Sequence, residues 1–309
     1  MISVVIITKD SAERLGRCLE LLTEAPEVVL ADTGSSDDTL EVAMSFGAKI
    51  CHIPWSHDFS EARTRAQEHA THDLVMRLDD DELLRGPQGF AEIMALAKSD
   101  SAGVCIKRTQ PTGEADMLLR VYSRNAWKWH YPVHEVLRSK SGHRLRVVDA
   151  QSSWVEHRPS SRKRNYADMI LSRMGSYAGD PYMNYMCLKE LVLEKRWPEA
   201  LEAFNRYDKT TGGYQWHRSQ ADIYHGQILR ECGQLREAFA VLTRPALASC
   251  RAEALNLAIE IAVELGINPL TVGSLRQQAR ALRVPVETGM SGNPQTPYVV
   301  DRTKYAETA

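Results

Sequence analysis

The sequence predicts an α/β N-terminal domain built on a parallel sheet, followed by an all-α domain of repeated helix pairs. Three observations carry this reading. Short apolar runs alternate with amphipathic segments over the first half, and two acidic clusters stand directly after two of those runs. Beyond about Pro159, strand signals give way to a helical period with internal echoes.

Ser3 to Ile7 is a continuous β-branched run, the pattern of a strand buried on both faces. Asp10 stands three residues before Glu13, a capping-box spacing that would open a helix carrying Leu15, Cys18, Leu19 and Leu22. Glu27 to Ala31 is a second strand, ending at Asp32-Thr33-Gly34-Ser35-Ser36-Asp37-Asp38. Asp38 and Glu41 are placed to cap the next helix, which Gly47 would close. Lys49 to Ile53 reads as a third strand, Ser60 to about Ala70 as a helix, and Asp73 to Leu78 as a fourth strand. In sheets of βαβ units the ligand crevice lies beyond the carboxyl ends of the strands, where both acidic clusters fall.

In the second half, Leu188 to Ala200 resembles Gln227 to Ala238, and Ala254 to Gly266 is a weaker echo. The offset is somewhat above the roughly 34 residues of tetratricopeptide repeats. Each unit ends one helix, turns and starts another, and such pairs bury their apolar faces only by stacking. The expected organisation is a catalytic domain over 1–158, a helical tetratricopeptide-like domain over 159–286 and an irregular tail over 287–309, where Gly289, Gly292, Pro294 and Pro297 cluster.

Composition narrows the partners. Lys and Arg number 38 against 40 Asp and Glu in 309 residues, a balance that argues against a nucleic-acid partner, although a local basic patch remains open. No run is apolar enough to cross a membrane, and no signal-peptide pattern opens the sequence. Six scattered cysteines without a CxxC pair suit reduced thiols, so the expected location is the cytoplasm. A Gly-rich phosphate loop is missing, which excludes the common ATPase and dinucleotide cradles.

Leu78-Asp79-Asp80-Asp81-Glu82 follows directly on an apolar strand. Alone, an acidic turn is most often a solvated loop or helix cap. Carboxylates at spacing two can also hold a hard divalent cation that bridges to phosphate oxygens. The wider context selects the second reading. Asp32-Thr33-Gly34-Ser35-Ser36-Asp37-Asp38-Thr39, then Asp58-Phe59-Ser60-Glu61-Ala62-Arg63, then the acidic motif resemble family 2 glycosyltransferases in order and spacing. The subgroup they most resemble places tetratricopeptide-like helices behind the catalytic domain and includes lipopolysaccharide-core glucosyltransferases and peptide S-glycosyltransferases.

The resemblance implies a GT-A (Rossmann-like) nucleotide-sugar-binding domain. It also implies an inverting transfer of a hexose from a UDP-sugar, with Mg²⁺ or Mn²⁺ as cofactor. By position, Thr8 and Asp32 would contact the nucleotide, Arg63 would face its phosphates, Asp79 would contact ribose, sugar or metal, and Asp81 would ligate the metal. Asp80, where the family often has Ala, is expected to point outward. Trp129-His130-Tyr131-Pro132-Val133-His134-Glu135 resembles the subgroup's His-Glu segment. Glu135 is the first candidate for the base that takes the acceptor proton; His134 is an alternative base or ligand, and Asp116, read as a turn residue, is a third candidate. Trp127, Trp129 and Tyr131 fit either sugar stacking or a core. Arg162-Lys163-Arg164 is a basic run that suits a solvated face or an anionic acceptor. The acceptor class stays open between glycan, lipid-linked and peptide substrates, and the helical domain suits an acceptor groove or a homodimer. Nucleotidyl transfer, or a non-enzymatic helical adaptor with an inactive transferase-like domain, are the competing functions.

Overall fold

The computed structural model describes residues 1–97, 102–140, 146–159 and 165–282. The expected tail over 287–309 and the basic run Arg162-Lys163-Arg164 lie outside them. The described residues divide into two compact units, 1–159 and 165–282.

The first unit opens as β1 (Ile2–Thr8), α1 (Ala12–Leu19), β2 (Glu27–Asp32), α2 (Thr39–Ser45), β3 (Lys49–His52), α3 (Phe59–Glu68) and β4 (Leu74–Asp79). It continues through β5 (Glu82–Arg85), α4 (Gly89–Leu96), β6 (Ala102–Thr109), β7 (Ala115–Ser123), β8 (Trp127–His130), β9 (Val136–Ser139) and β10 (Arg146–His157). The main sheet runs β3-β2-β1-β4-β7-β6-β10-β5, and β8 and β9 form a separate hairpin. β3, β2, β1 and β4 pair in parallel, as the sequence implies. β7 then inserts antiparallel between β4 and β6, and β5 closes the far edge antiparallel to β10. The sheet is therefore mixed rather than parallel throughout, the α/β arrangement that the GT-A resemblance implies.

Each face of the sheet has its own core. Leu15, Cys18 and Leu19 of α1 and Phe90 and Ile93 of α4 pack on Val4, Ile6, Met76, Leu78, Ile106 and Val121. Ala66, Ala70 and the hairpin's Trp127, Trp129 and Leu137 cover Val5, Val29, Val75 and Leu119 on the other. Two expected caps are replaced. Ser11, not Asp10, precedes α1; Asp10 has φ +49 and its Oδ1 accepts from the Ser36 amide at 2.8 Å. Asp38 precedes α2 without a side-chain cap, while Asp37 accepts from the Thr39 amide at 3.1 Å and the Ala12 amide at 3.1 Å. One aspartate thus ties two helix starts together. Asp58 caps α3 by accepting from the Glu61 amide at 2.9 Å.

The second unit is helical: α5 (Tyr166–Leu171), α6 (Pro181–Leu193), α7 (Trp197–Asp208), α8 (Gln215–Glu231), α9 (Leu235–Leu242), α10 (Pro245–Ala248), α11 (Ala252–Glu264) and α12 (Pro269–Leu282). α6, α8 and α11 end in one and the same turn. Lys195, Gly233 and Gly266 have φ of +57, +78 and +66. The next amide in each case reaches back to the helix, Arg196 to Leu191, Gln234 to Leu229 and Ile267 to Ala262, at 2.8–2.9 Å. This is the Schellman geometry, and it gives the repeat a backbone identity that the side chains only echo. Ala200 and Ala238, the small residues of the repeated Glu-Ala step, are fully buried. Gly226 of α8 is required where it stands, because a Cβ there would come 2.5 Å from Leu242 Cγ.

Lys195 carries a side chain where the other two repeats use glycine. The left-handed conformation costs a non-glycine residue about 1 kcal/mol. Lys195→Gly is expected to stabilise the protein by about that amount, read as a higher urea midpoint; a lower midpoint would contradict the strain.

None of the six cysteines takes part in a disulfide. Among the described residues no helix is long and apolar enough to cross a membrane.

Candidate functional site

The carboxyl ends of β1, β2 and β4 bring the acidic motifs to one edge of the sheet. Thr8 and Asp32 are register partners, as are Ile7 and Asp79. From there the side chains divide into three groups.

The first group centres on Arg63. This side chain is 7% exposed, and its Nη2 donates to Asp79 Oδ1 at 2.8 Å while its Nε donates to Glu135 Oε1 at 2.5 Å. The guanidinium lies over the Trp129 ring, 5.4 Å from its centroid. Arg77 donates to the other Asp79 oxygen at 2.8 Å. Burial by itself would raise the Asp79 pKa, but Arg63, Arg77 and Arg120 together hold it well below the usual carboxylate value. Asp79 is therefore an anion neutralised by arginines, and Arg63, expected to face phosphates, has two of its donors committed to carboxylates. Glu82 completes the frame: it is fully buried, accepts from the Asp79 amide at 3.0 Å and pairs with the equally buried Arg120.

The second group answers for Asp80. It was expected to point outward, and the structure reverses this: Asp80 is 6% exposed. Its Oδ2 accepts from Thr8 Oγ1 at 2.7 Å and from Ser11 Oγ, and Arg14 donates at 3.2 Å from Nε to Oδ1 and at 3.2 Å from Nη2 to Oδ2. The physical reason is the β1–α1 connection, which presents two hydroxyls and a guanidinium to the acidic turn, and all three reach the Asp80 carboxylate. Thr8 is accordingly 3% exposed, with its hydroxyl spent on Asp80 rather than presented to a ligand.

The third group is Asp81 with His157, whose Nε2 lies 3.6 Å from Asp81 Oδ1. The Asp81 carbonyl also accepts from the Arg158 amide at 2.8 Å, so β10 delivers His157 to the acidic turn through the backbone. His157 Nδ1 meets Gln110 Oε1 at 2.7 Å, which orients the ring. Among the described residues no group of three or more His, Cys, Asp or Glu could hold a metal. The donor set fits a cation of the Mg²⁺ or Mn²⁺ kind all the same, since such ions take one or two protein ligands and complete their shell with phosphate oxygens and water.

Asp32 accepts from the Gly34 amide at 3.2 Å and the Ser35 amide at 3.0 Å, and His52 Nδ1 lies 3.4 Å away. Burial opposes ionisation there, but these donors hold its pKa below the usual value. It thus shapes the turn after β2 and keeps a charge at the strand end.

Glu135 and His134 stand on the β8–β9 connection. Tyr131 and His134 have φ of +77 and +53, and His57, just before α3, has φ +59. Non-glycine residues in this region mark strained backbone held by its surroundings. The Phe59 amide donates to the Pro132 carbonyl at 2.8 Å, tying the Asp-Phe-Ser-x-Ala-Arg segment to the His-Glu segment. Asp116, read as a turn residue, instead lies in β7 and pairs with Arg108 at 2.8 Å. Trp127, Trp129 and Tyr131 are 6%, 4% and 3% exposed, which makes them core and leaves no face for sugar stacking. Sequence reasoning places His157, with Arg158, near the domain junction as able to close the site, but singles out neither Arg77 nor Glu82. Only Glu82 carried a signal, its place directly after the three aspartates.

A family model described as Glycosyl transferase family 2 matches residues 3–153. Curated relatives include a TPR repeat-containing protein of Synechococcus elongatus, 43% identical over 84 residues, 27% of this chain and 21% of that protein. An uncharacterized glycosyltransferase of Rickettsia felis is 33% identical over 84 residues, 27% of this chain and 29% of that protein. The chain thus spans less than a third of the length of these relatives. Among solved structures, S. aureus TarS 1-349 in complex with UDP-GlcNAc aligns over 87% of this chain and 93% of that one, at 14% identity and TM-score 0.46. Glucosyl-3-phosphoglycerate synthase from Mycobacterium tuberculosis, in complex with Mn²⁺, UDP and phosphoglyceric acid, aligns over 37% and 44%, at 19% identity and TM-score 0.30.

Proposed function

Because residues 3–153 match the family model described as Glycosyl transferase family 2, we propose that the protein is an inverting, metal-dependent transferase that moves a hexose from a UDP-sugar to a hydroxylated acceptor. The observation that carries this is the double grip of Arg63, at 2.8 Å on Asp79 and 2.5 Å on Glu135. It joins the acidic strand end, where a diphosphate would sit, to the carboxylate that would take the acceptor proton.

In this reading the acceptor oxygen attacks the anomeric carbon as the bond from that carbon to the phosphate oxygen breaks. UDP leaves with the bonding electron pair, and the acceptor proton passes to Glu135. Arg63 positions Glu135 rather than reacting itself. Asp81 and His157 would hold the divalent ion, replacing the expected pair of Asp81 and Asp79, since both Asp79 oxygens already serve arginines. Bound there, the ion would offset negative charge building on the departing diphosphate. Asp32 remains the candidate for the nucleotide base, with a carboxylate able to accept from a ring N–H. Thr8 acts one step back by fixing Asp80 and the first loop. Asp116, committed to Arg108, drops out as a base.

The test is calorimetry of UDP with and without Mn²⁺, together with turnover of a UDP-hexose by water. Wild type is expected to bind UDP in a Mn²⁺-dependent manner and to release the hexose slowly, and Asp81→Asn to lose both the metal dependence and the turnover. Binding that ignores Mn²⁺, or equal turnover by the variant, would overturn the assignment.

A further inference from the structure

A cavity on the sheet face of β6, β7 and β10 has no part in the site described so far. Its floor is one row across three strands: Lys107 of β6 is in register with Met117 of β7 on one side and with Trp154 of β10 on the other. Its wall is the segment Asp149–Ser153, where the pairing of β10 with β6 is interrupted. The cavity is open to solvent and has a volume of about 530 Å³, within the roughly 300–1,000 Å³ typical of ligand pockets.

The interruption is built from both sides. The amides of Gln151 and Ser152 donate to Glu92 of α4 at 2.7 and 3.0 Å, and Ser153 Oγ donates to the Gly89 carbonyl at 2.9 Å. Gly86 must be glycine, since a Cβ there would lie 2.1 Å from the Ser152 carbonyl oxygen. Bulges held in this way re-aim side chains next to functional sites. Here the outcome is an indole left 38% exposed on a rigid strand, with Lys107 exposed beside it.

We propose that this cavity is an acceptor subsite for a neutral, hydroxylated sugar ring stacked on Trp154; it rests on the transferase reading above. A flat indole and the flexible Met117 offer an apolar surface to the C–H face of a pyranose. Lys107, Asp149, Gln151 and Ser153 surround it with both donors and acceptors. One cation against one anion leaves no net charge to select a phosphate or a nucleic acid, which favours a polyol. The subsite also leads to the chemistry. β10 runs on from Trp154 to its carboxyl end, three residues and about 10 Å away, where the Arg158 amide meets the Asp81 carbonyl at 2.8 Å. An oligosaccharide lying along β10 would reach the acidic strand end two rings on from Trp154.

The experiment is saturation-transfer NMR of the full chain with three neutral trisaccharides: maltotriose, mannotriose and triacetylchitotriose. UDP binding with Mn²⁺ is measured in parallel. At least one trisaccharide is expected to receive transfer from wild type. Its affinity should fall about tenfold in Trp154→Ala, persist in Trp154→Phe and weaken in Lys107→Ala, all with unchanged UDP affinity. Contact with none of the three sugars, or contact undiminished in both alanine variants, would overturn the subsite. Failure of wild type to bind UDP would instead sink the transferase reading, and a Trp154-dependent sugar signal would then stand as binding alone.

Discussion

Glu135→Gln is expected to lower the turnover of a UDP-hexose by about 10²–10⁴-fold while leaving the affinity for UDP nearly unchanged. The amide keeps the shape of the side chain and an oxygen that accepts from Arg63 Nε, 2.5 Å away in wild type. What it loses is the capacity to take a proton. The loop should survive the change, because its strained residues Tyr131 and His134 and the hydrogen bond from the Phe59 amide to the Pro132 carbonyl are untouched. Single-turnover rates and calorimetry on the same preparation decide the matter. A comparable loss of UDP affinity would mark Glu135 as a positioning residue, and the base would then be sought at His134.

Arg120→Met is expected to destabilise the first unit by about 3–5 kcal/mol, read from urea unfolding. Arg120 and Glu82 are both completely buried and face each other as an ion pair. Removing the cation leaves a buried carboxylate without its ion-pair partner, and the same carboxylate accepts from the Asp79 amide at 3.0 Å. The double variant Arg120→Met with Glu82→Leu is expected to recover part of the loss, because no unpaired charge remains. Were the double variant to cost the sum of the two single changes, the pair would not be coupled and the argument from buried charge would fail.

The two halves of the first unit differ in how plainly they could be read. β1, β2 and β4 are apolar runs buried on both faces, so their sequence states their environment directly. β7 and β10 carry Asp116, Arg120, Gln151 and Trp154 among their apolar residues, and their places between β4 and β5 depend on partners far along the chain. The helical repeat was legible from Leu188 and Gln227 onward, but the shared turn at Lys195, Gly233 and Gly266 is a backbone property that side chains betray only where glycine is used.

The order and chemistry of the motifs, from Asp32 through Arg63 and the three aspartates to Glu135, stand in the amino-acid sequence and carry both the match to the family 2 glycosyltransferase model and the kind of residue at each strand end. Which carboxylate meets which cation was decided by the tertiary structure alone. Arg63 and Glu135 lie 72 positions apart in the chain, as do Thr8 and Asp80. Sequence records residue type and local spacing, whereas charge pairing is settled by distance and burial once strands from both halves of the unit share one edge. That is why Asp80 turned inward, Asp79 went to the arginines, and His157 arrived beside Asp81.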